Sequence, residues 1–128
     1  MWIFLEGGRF LSVEAHASDP ALFQLRARLP GDIEVDFPDA QVYEAAAEEE
    51  GPGHYRFHAL VARDQVLKAI AHELEDLSYP QFQKTICNAN RVLAASRCDD
   101  AMRQAQEAAR EGQDQDSICY PPSLQPKA

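Results

Sequence analysis

The first fifteen positions hold two short apolar runs, Trp2–Leu5 and Phe10–Ala15, separated by Glu6-Gly7-Gly8-Arg9. Both runs favour strands, and the glycines can supply the positive φ of a tight connection, so the pattern predicts a β-hairpin. After a break at Ser18-Asp19-Pro20, Leu22 to Leu29 alternates strictly. Phe23, Leu25, Ala27 and Leu29 fall on one side, and Gln24, Arg26 and Arg28 on the other. A period of two predicts a third strand with a core face and a basic, wet face. Pro30-Gly31 stops it, Asp32 is placed to cap a short helical piece through Phe37, and Pro38 ends that piece. Gln41 to Glu44 reads as a brief strand.

Ala45 to Gly53 forms a linker closed by Gly51-Pro52-Gly53. Beyond it Tyr55, Phe57, Ala59 and Val61 alternate against His54, Arg56, His58 and Leu60, which predicts another strand. The period then lengthens to 3.6: Val66, Ile70, Leu74 and Leu77, widened by Leu67 and Ala71, predict an amphipathic helix over Arg63–Leu77 lying on a sheet. Ser78-Tyr79-Pro80 terminates it, and Phe82 and Ile86 suggest a further turn or two. Asn90 is placed to cap an alanine-rich last helix that runs to Glu111 and ends at Gly112. Its stripe of Leu93, Cys98, Met102, Ala105 and Ala109 is thin, so its docking contributes less than that of the Leu74 helix. Gln113 to Ala128 carries Pro121, Pro122 and Pro126 and predicts a disordered tail unless Ile118, Tyr120 and Leu124 find a groove.

These elements predict one α+β domain over 1–112 followed by the tail 113–128. The sheet is mainly antiparallel with three to five strands, helices pack on one face, and a helix closes the domain. With 128 residues, 45% of them hydrophobic, the chain can bury a core without disulfide or metal. The composition excludes a collagen, a coiled-coil array and a membrane-spanning protein. Met1–Leu5 is apolar but lacks a basic region before it and ends at Glu6, which does not make a signal peptide. Cys87, Cys98 and Cys119 match neither a zinc pattern nor a disulfide framework, as expected in a reducing, cytoplasmic compartment.

Charge changes the picture most. The net charge is −9, and eight acids lie between Gly31 and Gly53 with no Lys or Arg among them. They are Asp32, Glu34, Asp36, Asp39, Glu44, Glu48, Glu49 and Glu50, and the remaining 105 residues are close to neutral. At this spacing the charges repel one another within a Debye length of about 8 Å. Such a segment can be a solvated loop that maintains solubility, a patch that docks on a basic surface, or a divalent-metal site.

The candidate chemistry is thin. His54 and His58 share a strand face but stand about 13 Å apart, too far to hold one ion. With Arg56 they form a wet, partly basic surface, beside Arg26 and Arg28 if the two strands are neighbours. His72 and Asp76 make an i, i+4 pair without the second histidine of a zinc-protease helix, so a surface imidazolium is expected. Neither Cys87 nor Cys98 has a local signature for a nucleophile, and Gly7-Gly8 does not open a helix as a phosphate loop does. Tyr79, Pro80, Phe82 and Lys84 read as the plug of a helix corner. No catalytic residue, metal or cofactor is assigned, and the chain reads as non-enzymatic.

Met1-Trp2-Ile3-Phe4, Gly8, Phe10, Ser12-Val13, Leu25-Arg26-Ala27-Arg28, Tyr55-Arg56-Phe57 and Leu77-Ser78-Tyr79-Pro80-Gln81-Phe82-Gln83-Lys84 together resemble a family of small bacterial proteins of unknown function. The resemblance covers roughly residues 1–87 and implies a shared fold, with no activity attached. In size and charge the chain also resembles the phage and mobile-element inhibitors of bacterial defence, anti-CRISPR proteins among them. The expected function is therefore a binding protein whose acidic segment occupies a basic protein surface. A CRISPR effector or another nucleic-acid-binding complex would be the partner, without direct contact to nucleic acid or membrane. The alternative is a cytoplasmic regulatory domain that self-associates through a sheet edge or the last helix.

Overall fold

The computed structural model describes residues 1–46, 53–112 and 121–124. Strands β1 (Trp2–Leu5), β2 (Arg9–Ala15), β3 (Leu22–Ala27), β4 (Tyr43–Glu44) and β5 (Phe57–Ala62) form one antiparallel sheet in the order β1-β2-β3-β5-β4. Two helices follow, α1 (Arg63–Glu75) and α2 (Ala89–Arg110), and the fold is α+β. The connection between β1 and β2 is a 3-10 turn, with φ +80° at Gly7 and +81° at Gly8, a region closed to most side chains.

Register turns the alternation into a core. Val13 lies opposite Leu25, Leu25 opposite Ala59, and Phe23 opposite Val61, so their side chains share one face. That face buries Leu5, Leu11, Val13, Leu25, Ala27, Ala59 and Val61 beneath Val66 of α1 and Ile33 and Phe37 of the turn after β3. Each fully buried aliphatic side chain contributes about 1.5–3 kcal/mol relative to exposure, which makes this the main stabilising layer.

Helix α1 ends two residues before the expected Leu77 and turns a different stripe inward. Val66 is buried with Ala69 and Ile70 beside it, whereas Leu67, Leu74 and Leu77 are 61%, 67% and 49% exposed. The reason is angular. At about 100° per residue, Glu73 lies within about 20° of Val66 around the axis and Leu74 about 80° away, so the inward line continues through an acid.

Three further expectations are corrected. Asn88, in extended conformation, caps α2 by accepting the Arg91 backbone N–H at 3.1 Å, and Asn90 lies inside the helix. Tyr55 stays outside β5 and faces Arg26 and Arg28, whose guanidinium carbons lie 4.8 and 4.0 Å from its ring centre. His58, expected on a wet surface, is 3% exposed because Tyr43 of β4 stacks on it at 5.3 Å. β3 and β5 are indeed neighbours, with Arg26 opposite His58.

Helix α2 is anchored by its first turns alone. Ala95 is its one buried residue, and the helix contacts the hairpin tip and the 3-10 turn Phe82–Thr85. Phe82 in that turn lies 5.8 Å from Phe4 and 6.4 Å from Tyr79, the corner plug that the sequence suggests. Beyond Gly112, only Pro121–Leu124 of the expected disordered tail is described; Pro122–Leu124 is an exposed 3-10 turn, and the rest of that expected tail lies outside the described residues.

Candidate functional site

The acidic segment begins where Gly31, at φ +89°, turns the chain out of β3. The next residues coil: Val35 N–H donates to the Gly31 carbonyl at 3.2 Å and Phe37 N–H to that of Ile33 at 3.0 Å. In a helical coil residues four apart share a side, so Ile33 and Phe37 enter the core together and Asp32 and Asp36 turn together towards the hairpin. Glu34 and Asp39 are left facing outward, half-buried and exposed respectively.

Asp32 is 2% exposed and does not cap the coil. Its carboxylate accepts from Arg91 at 2.7 and 3.1 Å and from the Phe10 N–H at 3.1 Å. Arg91 also donates to the Gly8 carbonyl at 3.1 Å, so one charge pair ties the coil, the hairpin tip and α2 together. A carboxylate so enclosed is a cross-link inside the fold.

Asp36 is also turned inward. Arg9 donates to Asp36 at 2.5 Å and to Glu73 of α1 at 2.7 Å, placing two carboxyl groups on one guanidinium. Burial and a hydrogen bond to Glu73 hold the Asp36 carboxyl up at about 6, against the pull of Arg9. The same hydrogen bond, with help from Arg9, lowers Glu73. Arg9 is raised by its two carboxylates despite its burial. Arg9, Glu73 and Arg91 carry no signal in the local sequence, because topology alone brings them to the acids.

The outward acids differ. Glu44 pairs with Arg56 at 2.5 Å on an exposed surface, where both side chains remain more than half accessible. Glu34 and Asp39 make no ion pair among the described residues, and Glu48, Glu49 and Glu50 lie outside the described residues. Asp39 stands on the rim of an open groove of about 750 Å³ that also meets Pro38, Gln41, Leu60, Lys68 and His72. A second hollow, of about 600 Å³, lies between Arg28, Glu44, His54 and Arg56.

His72 and Asp76 form an exposed pair at 3.3 Å, and Cys87 and Cys98 are exposed thiols. Among the described residues no group of three or more His, Cys, Asp or Glu side chains is placed to hold a metal ion, and no helix is long and apolar enough to cross a membrane. Comparison of the chain with family models, with curated proteins and with solved structures finds no match.

Proposed function

We propose that the protein is a non-enzymatic binding module that places its outward carboxylates Glu34, Asp39 and Glu44, together with the acidic run Glu48–Glu50 of the sequence, on a Lys/Arg-rich surface of a nucleic-acid-binding complex. The observation that carries this reading is the division of labour within the acidic segment. Asp32 and Asp36 are matched by Arg91 and Arg9 inside the fold, while Glu34 and Asp39 are left without a cation among the described residues. Charges that serve the fold are neutralised, and those that remain raise the local potential. Clustered carboxylates imitate phosphates, steer encounter with a basic groove and form charge-assisted bonds to Arg. An inhibitor of bacterial defence of the anti-CRISPR type is the form that such competition with nucleic acid takes.

The test is a pull-down from bacterial lysate at low and high salt, with three tagged forms: the native chain, Glu48/Glu49/Glu50→Lys and Glu34/Asp39→Lys. The native chain is expected to retain a nucleic-acid-binding complex at low salt and lose it at high salt, and either reversal to reduce the catch at least tenfold. Equal capture by all three forms would return the segment to a solubility role.

A second reading has its own observation. Helix α2 buries only Ala95, while Val92, Leu93 and Met102 are 41%, 48% and 70% exposed. Self-association through this helix would cover them, and sedimentation over a hundredfold concentration range would show a dimer.

A further inference from the structure

The outer edge of β5 is open over its last residues. β4 pairs with β5 only at Tyr43 opposite His58 and Glu44 opposite Phe57, yet β5 continues to Ala62. Two hydrogen bonds fix which peptide groups point outward. Arg63 N–H donates to the Ala21 carbonyl at 2.8 Å, on the β3 side, and the Arg56 carbonyl accepts from Ala45 N–H at 2.9 Å, on the β4 side. Successive residues of a strand alternate in direction, so His58 and Leu60 present N–H and C=O away from β3, and Ala62 presents its N–H there while its carbonyl, at the N-cap of α1, begins the helix. Tyr43 stands opposite His58. Past it, Ala40 N–H closes a turn on the Phe37 carbonyl at 3.1 Å, after Pro38, and the chain does not continue alongside Leu60. Among the described residues no backbone bond joins Leu60 or Ala62 to this segment, and the groove of about 750 Å³ occupies the space between.

Given the acidic docking reading, on which this inference rests, we propose that the β5 edge at Leu60 and Ala62 accepts an extended, basic segment of the partner as a short added strand in line with β4. Outward peptide groups in register select a backbone, which is the recognition mode of strand addition. The charge on the rim selects the side chains. Asp39 on the groove wall lacks a cation among the described residues, Glu34 precedes it on the same coil, and no Lys or Arg occurs from Gly31 to Gly53. Lys68, which also lines the groove, disfavours an unbroken run of cations, so alternation of basic and apolar residues is the matching pattern.

The probe is an end-blocked hexapeptide of alternating Lys and Val, with a Glu/Val counterpart and a Lys/Val version N-methylated at alternate amides. In the free protein the Leu60 and Ala62 amides are expected to exchange hydrogen at least tenfold faster than those of Ala59 and Val61. Saturating Lys/Val peptide should slow Leu60 and Ala62 at least tenfold, and the methylated peptide should have no effect. Leu60→Pro removes an outward donor without a ladder bond to β3 and should weaken binding at least tenfold; if that variant does not fold, the methylated peptide carries the same test. Binding of Lys/Val peptide with Leu60 and Ala62 unchanged would overturn the edge site while leaving the acidic docking reading standing. Equal protection by the Glu/Val peptide would overturn the basic occupant, and absence of binding by any peptide would overturn the site itself.

Discussion

Arg91 and Asp32 stand 59 positions apart in the chain, and their side chains meet at 2.7 Å with the carboxylate buried. Removing one member of such a pair strands the other charge away from water. Asp32→Ala is expected to cost about 3–5 kcal/mol, because Arg91 and the Phe10 N–H both lose their acceptor. Urea denaturation measures it, and a loss below about 1 kcal/mol would contradict the cross-link. The double variant Asp32→Asn, Arg91→Met should recover part of the loss.

Asp36 gives a pH signature with a definite sign. Its carboxyl is raised from 3.8 to about 6 by burial and by Glu73, so the folded chain holds this proton more tightly than the unfolded one. Stability from this group is full below about 4 and declines as pH rises to about 6. Glu73, lowered by Asp36 and Arg9, acts oppositely: its contribution is present above its ordinary value of 4.5 and is lost on acidification. Asp36→Asn should therefore gain about 1–2 kcal/mol on the native chain between pH 4.5 and 7.5, measured by denaturant titration at both values. No change in the difference between the two forms would refute the shared guanidinium site.

The two hairpin glycines should respond unequally. Both have positive φ, so alanine at either is strained by about 1 kcal/mol. A Cβ on Gly7 meets nothing within 4 Å, but one on Gly8 lies 3.1 Å from both Arg91 Cβ and Ile86 Cγ2. Gly8→Ala should lower the melting temperature clearly more than Gly7→Ala. The reverse order would mean that α2 does not dock on the hairpin tip.

On α1, Val66→Ala is expected to cost about 2 kcal/mol, and Leu74→Gln to stay within about 0.5 kcal/mol of the native chain. Thermal melts of the two variants check the stripe. A costly Leu74→Gln would show that something covers that side of the helix in solution.

The contrast between Val66 and Leu74 also marks how far the sequence could be read. The hairpin, the alternation of β3 and β5, α1 and α2 follow from local periodicity and from Gly and Pro positions, because strands and helices carry their burial pattern within a few residues. Which α1 stripe faces inward does not follow, since Glu73 lies on the core side only because Arg9 comes to meet it. The acidic segment was legible as a charge excess. Its partition into inward Asp32 and Asp36 and outward Glu34 and Asp39 depends on Arg91 and Arg9, which no local pattern ties to it. The burial of His58 is hidden from the local sequence for the same reason, as its cover is supplied by Tyr43 from a two-residue strand.

The attachment of α2 has a consequence for the order in which the molecule assembles. Gly7 N–H is satisfied by the Thr85 hydroxyl and the Gly8 carbonyl by Arg91, partners 78 and 83 residues away. The tip of the hairpin therefore cannot be completed until the chain through Arg91 has been made. Contacts of such long range slow folding, because the loop must close before they contribute. Docking of the first turn of α2 on the hairpin is thus among the long-range closures that the fold must make.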